Sequence, residues 1–204
     1  MMKYTKALYD QIIENNPVLK RSLGICSALA VTNLMVNAFV MSLGVIFVSA
    51  LSGLTVSLIR KYTDRHIRIL FQMMVIASYV ILVDICLKFY VPEISKALGP
   101  YVGLIITNCI IMGRCESFAQ LNPPAISFVD GIAAGLGYSA VLMVIAFFRE
   151  LLGFGSLFGI HVLGDWWRNW GTMSIPAGAF FMIGILVWIA TDYNMHHTGR
   201  RVVK

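Results

Sequence analysis

The most constraining feature of the sequence is a stretch of 38 residues, between Arg21 and Arg60, that contains no Asp, Glu, Lys or Arg. As one straight α-helix, rising about 1.5 Å per residue, it would be roughly 57 Å long. The hydrocarbon core of a bilayer is only about 30 Å thick. The stretch must therefore fold back once, and the polar residues between Thr32 and Asn37 mark the predicted break.

The amino-acid composition places the whole chain in the membrane class. Apolar residues make up 58% and charged residues 13% of the 204 residues, against about 45–50% and 25% in soluble domains. This balance excludes a soluble enzyme, a disordered chain and a disulfide-rich secreted module. The first 18 residues are of mixed polarity and predict no cleavable signal peptide. The length predicts a single multi-pass membrane domain over residues 1–204.

The apolar runs predict an all-α integral membrane protein with six transmembrane segments. Their approximate bounds are 19–31, 38–58, 69–89, 98–113, 126–148 and 174–190. The first and fourth segments are too short to cross a bilayer alone, and each stands at the head of a three-helix half. Halves with three crossings have opposite orientations, so this order predicts two inverted repeats whose first segments are half-helices.

The basic residues predict the orientation of the chain. In a six-segment topology twelve Lys and Arg side chains share the side of both termini, and four lie on the other side. Positive charge accumulates on the cytoplasmic side, so both termini are predicted to be cytoplasmic. The twelve are Lys3, Lys6, Lys20, Arg21, Arg60, Lys61, Arg65, Arg68, Arg114, Arg200, Arg201 and Lys204, and the four are Lys88, Lys96, Arg149 and Arg168. These short clusters contain no aromatic-interleaved patch, so the predicted surroundings are the lipid bilayer and not nucleic acid.

Two of the four cysteines lie in the two short segments. Cys26 and Cys109 are therefore predicted to meet near the membrane midplane. Two thiolates are half of a tetrahedral sulfur site, and iron–sulfur clusters usually take four, so a second protein chain would have to supply the rest. Spacing alone favours two packed cysteines over two ligands. Cys86 is expected to pack between helices, and Cys115 is expected to be a loop-side thiol.

Few charged residues fall inside the predicted segments. Asp84 and Lys88 are four residues apart and share one helical face. This spacing favours an interfacial ion pair over an ion pathway, but the pathway stays open because intramembrane carboxylates are often functional. Asp130, Arg149 and Glu150 are interpreted as charges at the boundaries of the fifth segment.

The remaining motifs are structural. The sequence contains no phosphate-binding glycine loop, no His–Glu pair at metal-ligand spacing and no CxxC motif. Gly131 and Gly135 are four residues apart and predict a small face for close helix packing, against a helix of this chain or of another protein chain.

Three stretches carry a resemblance to a known family. They are Leu23–Thr32 (LGICSALAVT), Gly103–Arg114 (GLIITNCIIMGR) and Ser127–Tyr138 (SFVDGIAAGLGY), with supporting matches at 14–17, 56–60, 149–155 and 176–181. Together they resemble the family of membrane proteins to which the D subunit of the sodium-translocating NADH:quinone oxidoreductase belongs. The same family holds the corresponding subunits of the Rnf electron-transfer complex. The resemblance covers nearly the whole chain in order.

The resemblance implies an inverted-repeat protein, paired with the homologous E subunit, in the inner membrane of a bacterium. It implies that Cys26 and Cys109 each supply one thiolate to an intramembrane iron centre, a single iron or a 2Fe-2S cluster, shared with that partner. Electrons would pass between flavins on opposite sides as the complex oxidises NADH, reduces ubiquinone and exports Na+. This chain would bind neither flavin nor NAD and would not be catalytic alone. Cys115 departs from the small residue expected after Gly113 and Arg114.

The sequence leaves two alternative functions open. The chain could be the corresponding member of the Rnf complex, which exchanges electrons between ferredoxin and NAD. It could also be a cofactor-free small transporter or a scaffold protein of a larger complex. An iron content assay on the membrane complex separates the redox functions from the cofactor-free ones.

Overall fold

The computed structural model describes residues 23–32, 34–63, 67–90, 99, 103–154, 156–157, 160–161 and 175–202. Parts of the predicted segments lie outside these ranges, namely residues 19–22, 98, 100–102 and 174. The first 18 residues, for which the sequence predicts no signal peptide, also lie outside them, as do the basic residues Lys3, Lys6, Lys20 and Arg21. The helices are α1 Ile25–Val31, α2 Met35–Ile59, α3 Arg68–Tyr90, α4 Cys109–Arg114, α5 Pro124–Phe154 and α6 Pro176–Val202. Residues 103–106 are also helical, and a π-helical turn, Cys115–Ala119, continues α4.

Three of these helices are long and apolar enough to cross a membrane. The spans in α2, α3 and α5 have mean hydropathies of 2.1, 2.2 and 2.0. The apolar part of α6, Ala177–Ile189, is shorter. Apart from one antiparallel pair of two-residue strands, Ser156–Leu157 and Ile160–His161, the regular structure of the described residues is helical. The chain is a helical protein with several membrane-capable helices, as predicted.

The antiparallel pair of α2 and α5 forms the centre of the fold. A Cβ atom added to Gly131 would lie 2.6 Å from the Ser49 carbonyl oxygen, and one added to Gly135 would lie 2.9 Å from the Ile46 Cα atom. Such approaches require glycine, because the backbones themselves are in contact. The prediction that Gly131 and Gly135 form a packing face is confirmed, and the partner helix belongs to this chain.

The polar break after the first short segment is narrower than predicted. Helix α1 ends at Val31, where the Thr32 hydroxyl donates to the Ala28 carbonyl at 2.6 Å. Helix α2 begins at Met35, so Asn37 lies inside it. Asparagine is only mildly unfavourable in a helix, and packing of α2 against α5 outweighs that preference.

Helix α3 is the most exposed of the three long helices. Only 17% of the most apolar part of α3 is buried within the chain, against 56% for α2 and 50% for α5. Large apolar side chains on α3, such as Leu70, Met74 and Phe89, are exposed at 70% or more. The buried core instead lies where α1, α2, α4 and α5 meet, around Ile110, Tyr138 and Leu142.

Candidate metal-ligand site

The structure brings Cys26 and Cys109 together. Cys26 is the second residue of α1 and Cys109 is the first residue of α4, and their thiols are near enough to affect each other electrostatically. Cys26 is exposed and Cys109 is half-buried. The pair therefore lies at the surface of the chain and not inside its core. At the surface, a second chain can reach it.

The turn before α1 fixes the approach of the two short helices. Gly24 adopts a left-handed backbone conformation with φ 82°, which residues other than glycine rarely adopt. A Cβ atom there would lie 2.6 Å from the Ile110 Cδ1 atom and 3.1 Å from the Tyr138 Cε2 atom. The turn that leads into Cys26 thus packs directly on the helix that begins at Cys109.

Three buried polar side chains lie beside the cysteines. Ser27 follows Cys26, and its hydroxyl lies 2.5 Å from the hydroxyl of Tyr138 in α5. Asn108 precedes Cys109, and its side-chain amide donates to the Ser27 hydroxyl at 3.4 Å. The side-chain carbonyl oxygen of Asn108 accepts from the Ile110 backbone N–H at 3.1 Å, which caps α4. We call these three residues the Ser27–Asn108–Tyr138 network.

This network was not predicted from the sequence. All three side chains lie inside the stretches that carry the family resemblance, but each alone is an ordinary polar residue. The sequence does contain one indication of the network: Ser27 and Asn108 are each adjacent to a cysteine in a short apolar segment. Tyr138 lies in another segment, so only the packing of α5 reveals its contact.

Arg149 holds the end of α1. Its guanidinium donates to the Leu29 carbonyl at 3.1 Å and to the Thr32 hydroxyl at 2.9 Å, and it also donates to the Ile175 carbonyl at 3.0 Å. Arg149, which the sequence suggested as a boundary charge, is only 1% exposed, and α5 continues past it to Phe154.

Glu150 holds the start of α2. Its Oε2 atom accepts from the Met35 backbone N–H at 2.6 Å, and the side chain is 1% exposed. Leu34, which precedes α2, supplies no side-chain cap. Glu150, also suggested by the sequence as a boundary charge, is therefore a buried capping residue, because an anion near a helix N-terminus satisfies unpaired N–H groups and complements the helix dipole.

A corresponding set of charges lies where the end of α2 meets the start of α5. Arg60, at the end of α2, donates to the Asn122 carbonyl at 2.9 Å just before α5 begins. Arg114 pairs with Asp130 and its guanidinium lies 5.0 Å from the centre of the Phe118 ring. Asp130, which the sequence suggested as a boundary charge, is buried in this pair.

The other two cysteines lie apart from this arrangement. Cys115 is 1% exposed in the π-helical turn, and its Sγ atom lies 3.7 Å from the Ser52 hydroxyl. The prediction of a loop-side thiol is wrong because the turn continues α4 inward against α2. Cys86 is exposed on α3, so the prediction that it packs between helices is wrong for this chain, in which α3 has few neighbours.

Asp84 and Lys88 form an ion pair on the exposed surface of α3. The Lys88 Nζ atom lies 2.6 Å from the Asp84 Oδ2 atom. The pair has the geometry of the i,i+4 contact that the spacing suggested. An exposed pair of this kind contributes little to stability.

The ligand set of this chain is incomplete by itself. Within the described residues, no group of three or more His, Cys, Asp or Glu side chains is arranged to hold a metal ion. Two adjacent cysteine sulfurs suit iron as half of a tetrahedral sulfur site. Any iron held there needs ligands from beyond these two residues, and the exposed position of Cys26 leaves room for them.

Comparison with known proteins identifies the family. Residues 4–187 match the family described as "Rnf-Nqr subunit, membrane protein". The chain belongs to the Rnf-Nqr subunit family. Relatives of this family include the D subunit of the Na(+)-translocating NADH-quinone reductase of Shewanella denitrificans, which is 51% identical over 93% of this chain and 92% of its own length. The D subunit of the same enzyme from Photobacterium profundum is 52% identical over 90% of both chains.

Proposed function

We propose that this chain serves as the D subunit of a Na+-translocating NADH-quinone reductase and supplies Cys26 and Cys109 as ligands to an iron centre shared with the homologous E subunit. The packing of the two helix starts that bear the cysteines, with Gly24 against Ile110 and Asn108 bonded to Ser27, carries this proposal, because it places an exposed Cys26 and a half-buried Cys109 close together. The identity of about half of all positions to the D subunit of Shewanella denitrificans, over more than nine-tenths of the chain, supports it. The chain contributes to the enzyme as one of several subunits and is not catalytic alone.

The residues around the cysteines have two tasks in this proposal. The Ser27–Asn108–Tyr138 network fixes both cysteine-bearing helix starts, so that the sulfurs face the same point before any partner binds. The core packing of Gly24, Ile110 and Tyr138 keeps water away from the inner side of the pair. Bound iron, as a single ion or a 2Fe-2S cluster, would supply one-electron redox chemistry between flavins on opposite sides of the membrane. Flavin and NAD bind to other subunits.

We also propose that the chain consists of six segments in two inverted repeats, within one domain. Two arginine contacts support this architecture. Arg60 near the end of α2 reaches the chain just before α5, and Arg149 near the end of α5 reaches the chain just before α2. Each of the two antiparallel helices thus has an arginine near its end that contacts the chain just before the other helix begins. Such a reciprocal pair of contacts is expected of halves related by a twofold axis in the membrane plane. Helices α1 and α4 are the corresponding half-helices.

Removal of both cysteines tests the proposal directly. The intact complex should be purified with Cys26→Ala and Cys109→Ala together, and with Cys86→Ala as a matched control that removes an exposed cysteine from α3. We expect the double variant to lose intramembrane iron and quinone reduction, while the control keeps both. Acid-labile sulfide in the wild-type complex separates a 2Fe-2S cluster from a single iron. Unchanged iron and unchanged activity in the double variant would rule out the ligand role.

The same preparation separates the alternative functions. Sodium-stimulated quinone reduction indicates the NADH-quinone reductase, whereas electron exchange between ferredoxin and NAD indicates the Rnf complex. An iron-free wild-type complex indicates a transporter or scaffold protein. The relatives from Shewanella denitrificans and Photobacterium profundum are both named as subunits of the NADH-quinone reductase, which favours the first of these functions.

A further inference from the structure

We propose that Arg149 and Glu150 are positioning residues that set the place of Cys26 by holding both sides of the break between α1 and α2. The inference rests on the proposed function, because it concerns the same cysteine pair. Two adjacent ionisable residues, each 1% exposed in an apolar chain, are costly to bury without specific partners. Their contacts identify what they do.

The two side chains act on opposite helix ends. Arg149 donates to the Leu29 carbonyl and the Thr32 hydroxyl, where α1 ends and its last carbonyls have no helical partners. Glu150 accepts from the Met35 N–H, where α2 begins. A cation at a C-terminus and an anion at an N-terminus both complement the helix dipole. Because the two residues are adjacent on α5, one helix fixes both ends at once.

Because α1 is short, the contacts of Arg149 and Glu150 at the break between α1 and α2 determine the position of Cys26. Helix α1 has seven residues, fewer than the roughly 12–15 that an isolated helix needs to be even marginally stable in water. Its end at Thr32 is held to α5 by Arg149, and its start by the Ser27–Tyr138 hydrogen bond. Any change at the Arg149 end is transmitted along two turns to Cys26. Arg149 also bonds the Ile175 carbonyl, so the start of α6 is tied to the same point.

The test measures the cysteine pair without requiring iron. The full-length chain is expressed in bacterial membranes and oxidised with copper phenanthroline, and the Cys26–Cys109 disulfide is followed by mass spectrometry of non-reduced peptides. Arg149→Lys keeps the positive charge but replaces the planar guanidinium, whose N–H groups reach several acceptors at once, with a single ammonium group. Thr32→Val removes one acceptor, and Glu150→Leu removes the cap of α2. Lys61→Gln is the matched control, because it removes a charge from an exposed position.

We expect the three variants to slow disulfide formation about fivefold, the population change expected for the loss of one net hydrogen bond, while Lys61→Gln matches the wild type. In the intact complex, Arg149→Lys should lower iron retention about 10–100-fold, as outer-shell changes do, and shift the midpoint potential of the remaining centre. A purely structural role would lower the amount of protein but leave this potential unchanged.

Wild-type rates of crosslinking in Thr32→Val and Glu150→Leu would overturn the proposal, and both variants remain informative if Arg149→Lys fails to accumulate. An iron-free wild-type complex would instead overturn the proposed function. The crosslinking rates would still decide whether Arg149 and Glu150 position Cys26, so the two failures are distinguishable.

Discussion

At the scale of single residues, a cluster of three buried polar side chains lies where the two cysteine-bearing helices begin. Ser27 and Asn108 lie beside the two cysteines, and Tyr138 joins them from α5. Each is almost fully buried, so each needs a hydrogen-bond partner to avoid a penalty of about 1–3 kcal/mol. Mutual satisfaction explains why three polar residues are stable in the core. It also couples the geometry of the cysteines to a residue on a different helix.

Tyr138→Phe should therefore disturb the cysteine site. The change removes the hydroxyl that lies 2.5 Å from Ser27, while Ser27 keeps its bonds to the Gly24 carbonyl and the Asn108 amide. We therefore expect a loss of about 0.5–1.5 kcal/mol in stability, the net value of one hydrogen bond, and a shifted spectrum of the iron centre. Tyr79→Phe is the matched control, because it removes a similar 2.7 Å contact with Thr55 between α2 and α3. Thermal unfolding and electron paramagnetic resonance of the purified complex measure both effects. Equal spectra in the two variants would contradict the prediction.

At the scale of helices, the fold depends on how closely α2 and α5 approach. Gly53, Gly131 and Gly135 line their crossing, and backbone atoms of the opposite helix lie where a side chain would be. In a membrane, where lipid is as apolar as leucine, such close packing is a main source of helix association. The crossing also sets the distance from α5 to both half-helices, because Tyr138 and Arg149 lie on α5.

Gly131→Ala should separate the two helices. Its Cβ atom would lie 2.6 Å from the Ser49 carbonyl oxygen and 2.9 Å from the Ala50 Cα atom, both of which belong to the backbone. Since backbone atoms cannot rotate away, we expect a loss of about 1–3 kcal/mol, seen as a lower midpoint of thermal unfolding in detergent.

Gly184→Ala is the control for this prediction. An added Cβ atom at Gly184 in α6 meets nothing within 4 Å, and alanine is the better helix former. We expect an unfolding midpoint equal to or above that of the wild type. A similar decrease in both alanine variants would show that helix separation is not the cause.

At the scale of the whole molecule, the exposed surfaces indicate a chain built for contact with lipid and partner subunits. Helix α3 exposes most of its apolar length, and Cys26 is exposed beside the half-buried Cys109. Twelve basic residues on one predicted side and four on the other predict how this surface is oriented in the bilayer. A pair of cysteines at such a surface fits the iron site shared between two subunits that we propose.

The predicted orientation can be measured with reporters. Green fluorescent protein fused after Lys204 should fluoresce, because it folds in the cytoplasm, whereas alkaline phosphatase fused at that position should be inactive. Both signals should reverse for fusions after Ser95, in the predicted loop between the third and fourth segments. Alkaline phosphatase activity at Lys204 would place the carboxyl terminus outside and contradict an even number of crossings with a cytoplasmic amino terminus.

The amino-acid sequence by itself determined that the chain is a helical membrane protein with Cys26 and Cys109 in two short segments. Apolar length, the spacing of breaks and the small face at Gly131 and Gly135 are local properties, and hydrophobic burial acts on them directly. The bounds of the helices were less well determined. Packing against α5 extends α2 back to Met35, and α5 itself continues past Arg149 and Glu150.

Only the tertiary structure decided what the buried polar groups do. Whether a charged residue ends a helix at the membrane surface or is buried as a cap depends on which helix end lies opposite it. Arg149 finds the carbonyls of α1, Glu150 finds the N–H of Met35, and Cys115 turns inward against Ser52. These partners are distant in sequence, and their electrostatic and hydrogen-bond energies exist only once the helices have met.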